Sequence, residues 1–89
     1  MKKACALRIR GRVQGVGYRY YAMSKAAEYG ISGYVTNMPD GSVYIEVEGD
    51  EENLNAFIES CRKGPVLSKV IQFDAFSQPV SNYTGFEIR

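Results

Sequence analysis

One stretch constrains this chain more than any other: Gly11-Arg12-Val13-Gln14-Gly15-Val16-Gly17-Tyr18-Arg19. It begins as the end of an alternating strand, breaks into a loop with glycines at 15 and 17, and runs into a helical stretch near Arg19. A loop that feeds a helix N-terminus leaves several backbone N–H groups without intrahelical partners. The positive end of the helix dipole adds to their attraction for an anion. Gly15 and Gly17 let the backbone turn left-handed and approach a ligand where a Cβ would intrude. Arg19 adds a planar, permanently charged fork that fits two oxygens of one phosphate or carboxylate. On spacing alone, a plain strand-to-helix turn with a solvated arginine explains the stretch equally well. Rossmann and Walker-A loops do not: no Gly-x-Gly-x-x-Gly opens the helix, and no Gly-Lys-Ser/Thr follows.

Around this loop the chain alternates between two periods. Residues 5–13 place Cys5, Leu7, Ile9, Gly11 and Val13 on one face and Ala6, Arg8, Arg10 and Arg12 on the other, which predicts a half-buried strand. Tyr18, Ala22, Ala26 and Tyr29 then fall at helical spacing up to Gly30, a residue suited to the helix C-terminus. In that stripe Tyr18 is a core anchor rather than a ring for stacking a ligand. Residues 31–37 form a second strand, and Pro39-Asp40-Gly41 turns the chain into a third over residues 42–48. There Val43, Ile45 and Val47 face inward, and Tyr44, Glu46 and Glu48 face outward. Asp50 reads as the N-cap of a second helix with Glu51 and Glu52 in its first turn. Leu54, Phe57, Ile58 and Cys61 form the buried stripe of that helix, and Gly64-Pro65 ends it. Residues 70–76 form a fourth strand whose register the sequence leaves open, because the adjacent apolar pair Val70-Ile71 falls on opposite faces; a bulge would reconcile them. Residues 78–83 read as loop, and Phe86 and Ile88 mark a short final strand.

The order β-α-β-β-α-β, with its short extra strand, predicts an α+β chain: an antiparallel sheet with two helices on one face, the ferredoxin-like α/β sandwich. Its 89 residues suffice for one domain spanning 1–89. The second sheet face is expected to be open to water. RNA-recognition domains share this layout, so the row Arg8, Arg10, Arg12 beside Tyr44 raises a nucleic-acid alternative. Against it, Glu46 and Glu48 are expected to pair with those arginines, and no Lys/Arg-Gly-Phe-Gly-Phe run occupies the third strand.

The remaining composition limits the chemistry. There is no histidine, so no Ser-His or Cys-His pair and no imidazole base exists. Any catalysis must come from positioning and electrostatics. The net charge of +1 demands neither nucleic acid nor an anionic membrane. The two cysteines, Cys5 and Cys61, lack CxxC spacing and are expected to be free thiols in a cytoplasmic protein, with Cys61 a small core residue. No apolar run at the N-terminus predicts a signal peptide, and none elsewhere reaches transmembrane length.

The glycine loop with Arg19 closely resembles the signature of the acylphosphatase family, as does Gly33-Tyr34-Val35-Thr36-Asn37 followed by the Pro-Asp-Gly turn. The similarity continues through Gly64-Pro65 to Gly85-Phe86-Glu87-Ile88-Arg89. The resemblance implies a ferredoxin-like fold and cofactor-free, metal-free hydrolysis of the carboxyl–phosphate bond of acyl phosphates. It puts Arg19 at the family's phosphate-binding arginine and the backbone amides of Gln14, Gly15, Val16, Gly17 and Tyr18 at its phosphate cradle. Asn37 matches the asparagine that orients the attacking water; from its strand-end position alone, an asparagine serving a turn before Pro39 is the better reading. Tyr18 and Gly17 stand where members often carry phenylalanine or cysteine, and Met38 where some carry threonine. The expected partner is a small acyl phosphate, with no nucleic acid and no membrane, and the protein is expected to be a monomer. The alternatives are a non-catalytic anion- or RNA-binding module, and a carbamoyl-phosphate-handling domain like those of hydrogenase-maturation proteins.

Overall fold

In the computed structural model, which describes Met1–Arg89, the alternating N-terminal segment forms β1, Lys2–Arg12. The remaining elements are α1 (Tyr18–Tyr29), β2 (Ser32–Asn37), β3 (Val43–Asp50), α2 (Glu51–Lys63), β4 (Lys69–Gln78) and β5 (Phe86–Ile88). The strands form one sheet in the order β4-β1-β3-β2-β5. The inward residues of the strands meet the helical stripes in a single core. Leu7, Ile9, Val35, Val43, Ile45 and Val47 pack with Tyr18, Ala22 and Ala26 of α1 and with Leu54, Phe57 and Cys61 of α2. Both helices therefore cover the same sheet face, giving the expected two-layer sandwich. No helix is long and apolar enough to cross a membrane.

A bulge at the apolar pair settles the register of β4. Arg10 stands opposite Gln72 and Gly11 opposite Val70, so Ile71 is the extra residue. Its side chain turns to solvent while Val70 and Phe73 pack on the core. This resolves the conflict between two neighbouring apolar residues on a strand of period two.

Four expectations are corrected. The sheet is mixed rather than antiparallel, because β5 runs parallel to β2, pairing Gly33 with Phe86 and Val35 with Ile88. The chain leaves β4 at one edge and arrives at the opposite edge in the direction of β2. The second face is not wholly open either. The segment linking β4 to β5 is held across it by Glu48, which is buried and accepts the amides of Ser81 at 2.9 Å and Tyr83 at 3.2 Å.

Nor do Arg8 and Arg10 pair with Glu46 and Glu48. The register sets Ala6 against Glu46 and Ala4 against Glu48. Arg10 instead reaches Asp40 at 2.9 Å, with Arg8 at 3.8 Å. Glu46 accepts hydroxyl hydrogens from Tyr44 and Tyr83. Asp50 occupies the N-cap position of α2 without a capping bond, since its carboxylate meets the terminal ammonium of Met1 at 3.2 Å.

Candidate functional site

Three parts of the fold converge at one end of the sheet: the loop after β1, the first turn of α1, and the last residue of β2. Between them lies a cavity of about 100 Å³ lined by Val13, Gly15, Gly17, Tyr18, Arg19, Tyr20 and Asn37. Two motifs separated by seventeen residues, the glycine loop ending at Arg19 and the strand end at Asn37, thus share one cavity.

The loop has the backbone its glycines predicted, with φ of 73° at Gly15 and 79° at Gly17. Gly17 is also the residue before α1 and supplies no side-chain cap. The amides of Gln14, Gly15, Val16 and Gly17 donate to no backbone or side-chain acceptor within the protein. No acidic residue occupies the first turn of α1, so the positive end of its dipole is not neutralised there. Arg19 stands in that same turn, a position unfavourable to a cation by a few tenths of a kcal/mol or more unless an anion lies between the two charges.

Asn37 is half-buried, and its Oδ1 is enclosed without a hydrogen-bond partner. Buried carbonyl oxygens are nearly always satisfied, so a free acceptor on a residue that lines a cavity marks a place where a donor is missing. The turn that follows Asn37 is firmly held. Met38 donates its amide to Ser42 O at 2.8 Å, and Asp40 accepts both the Ser42 hydroxyl at 2.6 Å and the Ser42 amide at 2.9 Å. Those Ser42 bonds, with the Arg10 guanidinium beyond them, lower the Asp40 carboxyl to about 2.

Two of the anticipated cradle residues do not line the cavity. Gln14 turns its side chain away, and Nε2 donates to Met38 O and Ser42 O, both at 2.9 Å. It thereby ties the loop to the turn beyond Asn37. Val16 packs against the core. Tyr18 lines the cavity but is anchored as expected: its ring is buried and its hydroxyl donates to Cys61 O at 2.6 Å. The positioning bond of Gln14 went unforeseen because its acceptors are backbone carbonyls, which leave no mark in a sequence. Tyr20 was also missed, although helical spacing takes it off the buried stripe one residue after Arg19.

Elsewhere the chemistry is sparse. A larger cavity of about 530 Å³ lies between α2 and the end of β4, lined in part by Lys2, Cys5, Leu54, Ile58 and Phe76. It shares no residue with the loop, and burial pushes the Cys5 thiol up to about 11, away from reactivity. Burial pushes Cys61 up to about 12. Both thiols are free and buried.

The Acylphosphatase family model matches residues 5–88. An acylphosphatase from Thermus thermophilus is 50% identical over 80 residues, covering 90% of this chain and 91% of its own length. One from Archaeoglobus fulgidus is 41% identical over 85 residues, covering 96% of both chains. Among solved structures, the crystal structure of acylphosphatase from Bacillus subtilis superposes with a TM-score of 0.95 at 33% identity, covering 100% of this chain and 99% of that one.

Proposed function

The chain belongs to the acylphosphatase family, hydrolases acting on acid anhydrides, and from that premise we propose how its own residues cleave an acyl phosphate. The phosphoryl oxygens accept hydrogen bonds from the loop amides around Gly15 to Tyr18 and from the Arg19 guanidinium. These groups replace the water that held the anion and balance its charge as the transition state loosens. Asn37 Oδ1 accepts one hydrogen of a water and aims its oxygen at phosphorus, in line with the bond to the acyl oxygen.

The new bond joins water oxygen to phosphorus as the phosphorus–acyl oxygen bond breaks. The electron pair leaves with the carboxylate, and the water proton passes to a phosphoryl oxygen or to solvent. A carboxylate leaves readily, so the step needs no general acid, which suits a chain without histidine.

The observation that carries this proposal is that Asn37, whose Oδ1 has no hydrogen-bond partner, lines the same small cavity as Arg19 and the glycine loop. The test is hydrolysis of benzoyl phosphate in the presence of EDTA by the wild type, Arg19→Gln and Asn37→Ala. Each substitution is expected to lower turnover on the order of 10²–10³-fold, with Arg19→Gln at least as damaging as Asn37→Ala. Near wild-type turnover in Arg19→Gln overturns the mechanism.

A further inference from the structure

We propose that Tyr20 selects the acyl half of the substrate, its ring forming a wall on which a flat, apolar acyl group lies, so that aromatic acyl phosphates are preferred over short aliphatic ones. This deepens the function proposed above and rests on its assignment of the phosphoryl site. The cavity of about 100 Å³ is far smaller than the roughly 300–1,000 Å³ that encloses a whole small molecule. It takes the phosphoryl group and leaves the acyl group at the rim.

What stands at that rim is decided by the lining residues. Val13 and Tyr18 are buried, the glycines carry no side chain, and Arg19 and Asn37 are polar. Tyr20 alone is a large, exposed ring, 68% accessible. It follows Tyr18 by two residues, about 200° around the helix, which takes it off the core stripe to the solvent side, and the residue borders the cavity.

The other tyrosines are already engaged within the fold. Tyr18 and Tyr21 donate to carbonyls of α2. Tyr44 and Tyr83 donate to Glu46. Tyr34 packs against both of their rings, and Tyr29 packs on the core. Tyr20 makes no hydrogen bond, aromatic pair or cation–π contact, so its face is available to a ligand. A stacked ring held alike in the ground and transition states lowers KM and leaves kcat to the phosphoryl site.

The test compares kcat/KM for benzoyl phosphate and acetyl phosphate in the wild type, Tyr20→Ala and Tyr20→Phe, with Arg19→Gln run in parallel. In Tyr20→Ala the benzoyl-to-acetyl ratio is expected to fall about three- to tenfold, through the KM for benzoyl phosphate. Tyr20→Phe, which keeps the ring, is expected to keep the ratio. Equal losses on both substrates, an unchanged ratio in Tyr20→Ala, or a fallen ratio in Tyr20→Phe would each overturn the proposal. If Arg19→Gln hydrolyses both substrates like the wild type, the phosphoryl site itself is misassigned. If Arg19→Gln is inactive while Tyr20→Ala keeps its ratio, only the role of Tyr20 fails.

Discussion

Asn37 holds a polar oxygen out of water with nothing to bond it, an arrangement that costs stability on the order of 1–3 kcal/mol. Such a cost persists where function needs the free acceptor. Asn37→Ala is therefore expected to match or exceed the wild type in thermal stability while losing turnover. A melting temperature several degrees lower would show that the carboxamide has a structural partner instead. Gln14 is the converse case, since its side chain never reaches the cavity yet bridges two carbonyls of the turn that follows Asn37. Gln14→Ala removes one of two donors from each carbonyl, since Met38 O keeps the Gly41 amide and Ser42 O the Met38 amide. It also releases the loop from the strand end, with an expected loss of about 0.5–1.5 kcal/mol per bond. The distance between cradle and water-aiming group then varies, so kcat should fall about tenfold or more with KM less affected. Chemical denaturation with steady-state kinetics checks both halves, and an intact kcat would confine Gln14 to stability.

At the scale of elements, the segment between β4 and β5 is fastened by one side chain. Glu48 accepts the amides of Ser81 and Tyr83 and pairs with Lys2 at 3.0 Å. Burial acts to raise its carboxyl, but the Ser81 amide, the Lys2 ammonium and the Tyr83 amide together bring it below its usual value of 4.5. A folded-state value below the unfolded one means that the contribution is full above about pH 4.5 and is lost as pH falls through the lower folded value. Glu48→Gln should thus be less stable than the wild type at pH 7 by about 1–3 kcal/mol, with a smaller gap at an acidic pH well below 4.5. Urea melts at the two pH values decide it, and an equal gap at both would sink the assignment.

This fastening was the least legible part of the sequence. Strands β1 and β3 and helix α2 announce themselves through period, turn chemistry and stripe, whereas Val70-Ile71 leaves the register of β4 open. The glycine loop and Arg19 suggest an anion site by residue type, but a plain strand-to-helix turn fits their spacing equally well, and only the fold brings them into one cavity with Asn37. Glu48 reads as an ordinary outward residue, because what buries it is an irregular segment more than thirty residues downstream. The parallel course of β5 is equally silent, being set by where that segment crosses rather than by the pattern of Phe86-Glu87-Ile88.

For the whole molecule, the proposed mechanism and the distribution of titratable groups predict catalysis indifferent to pH across a broad middle range. The chain has no histidine. Its thiols are pushed by burial up to about 11 and 12, and the Asp40 carboxyl is lowered to about 2 by the Ser42 hydroxyl and amide and by Arg10. Glu46 is lowered by its tyrosine hydrogen bonds, and Glu48 is lowered as well. The groups assigned to the reaction are a guanidinium that keeps its charge at any working pH, peptide amides that do not titrate, and a carboxamide that cannot. No acid–base pair is then available to give the bell-shaped profile of general acid–base catalysis. With allowance for the ionisation of the substrate itself, kcat should stay level from about pH 5.5 to about pH 9 and decline only in acid. The acid limb follows from the depressed carboxylates, whose stabilisation disappears as they protonate and the β2–β3 turn and the β4–β5 segment loosen. A pH-jump assay separates the two causes, because activity lost to loosening should return with refolding and should track the unfolding transition. A reversible inflection near neutrality in the folded enzyme would require a titrating catalytic group that this site does not contain, and would overturn a mechanism built on positioning alone.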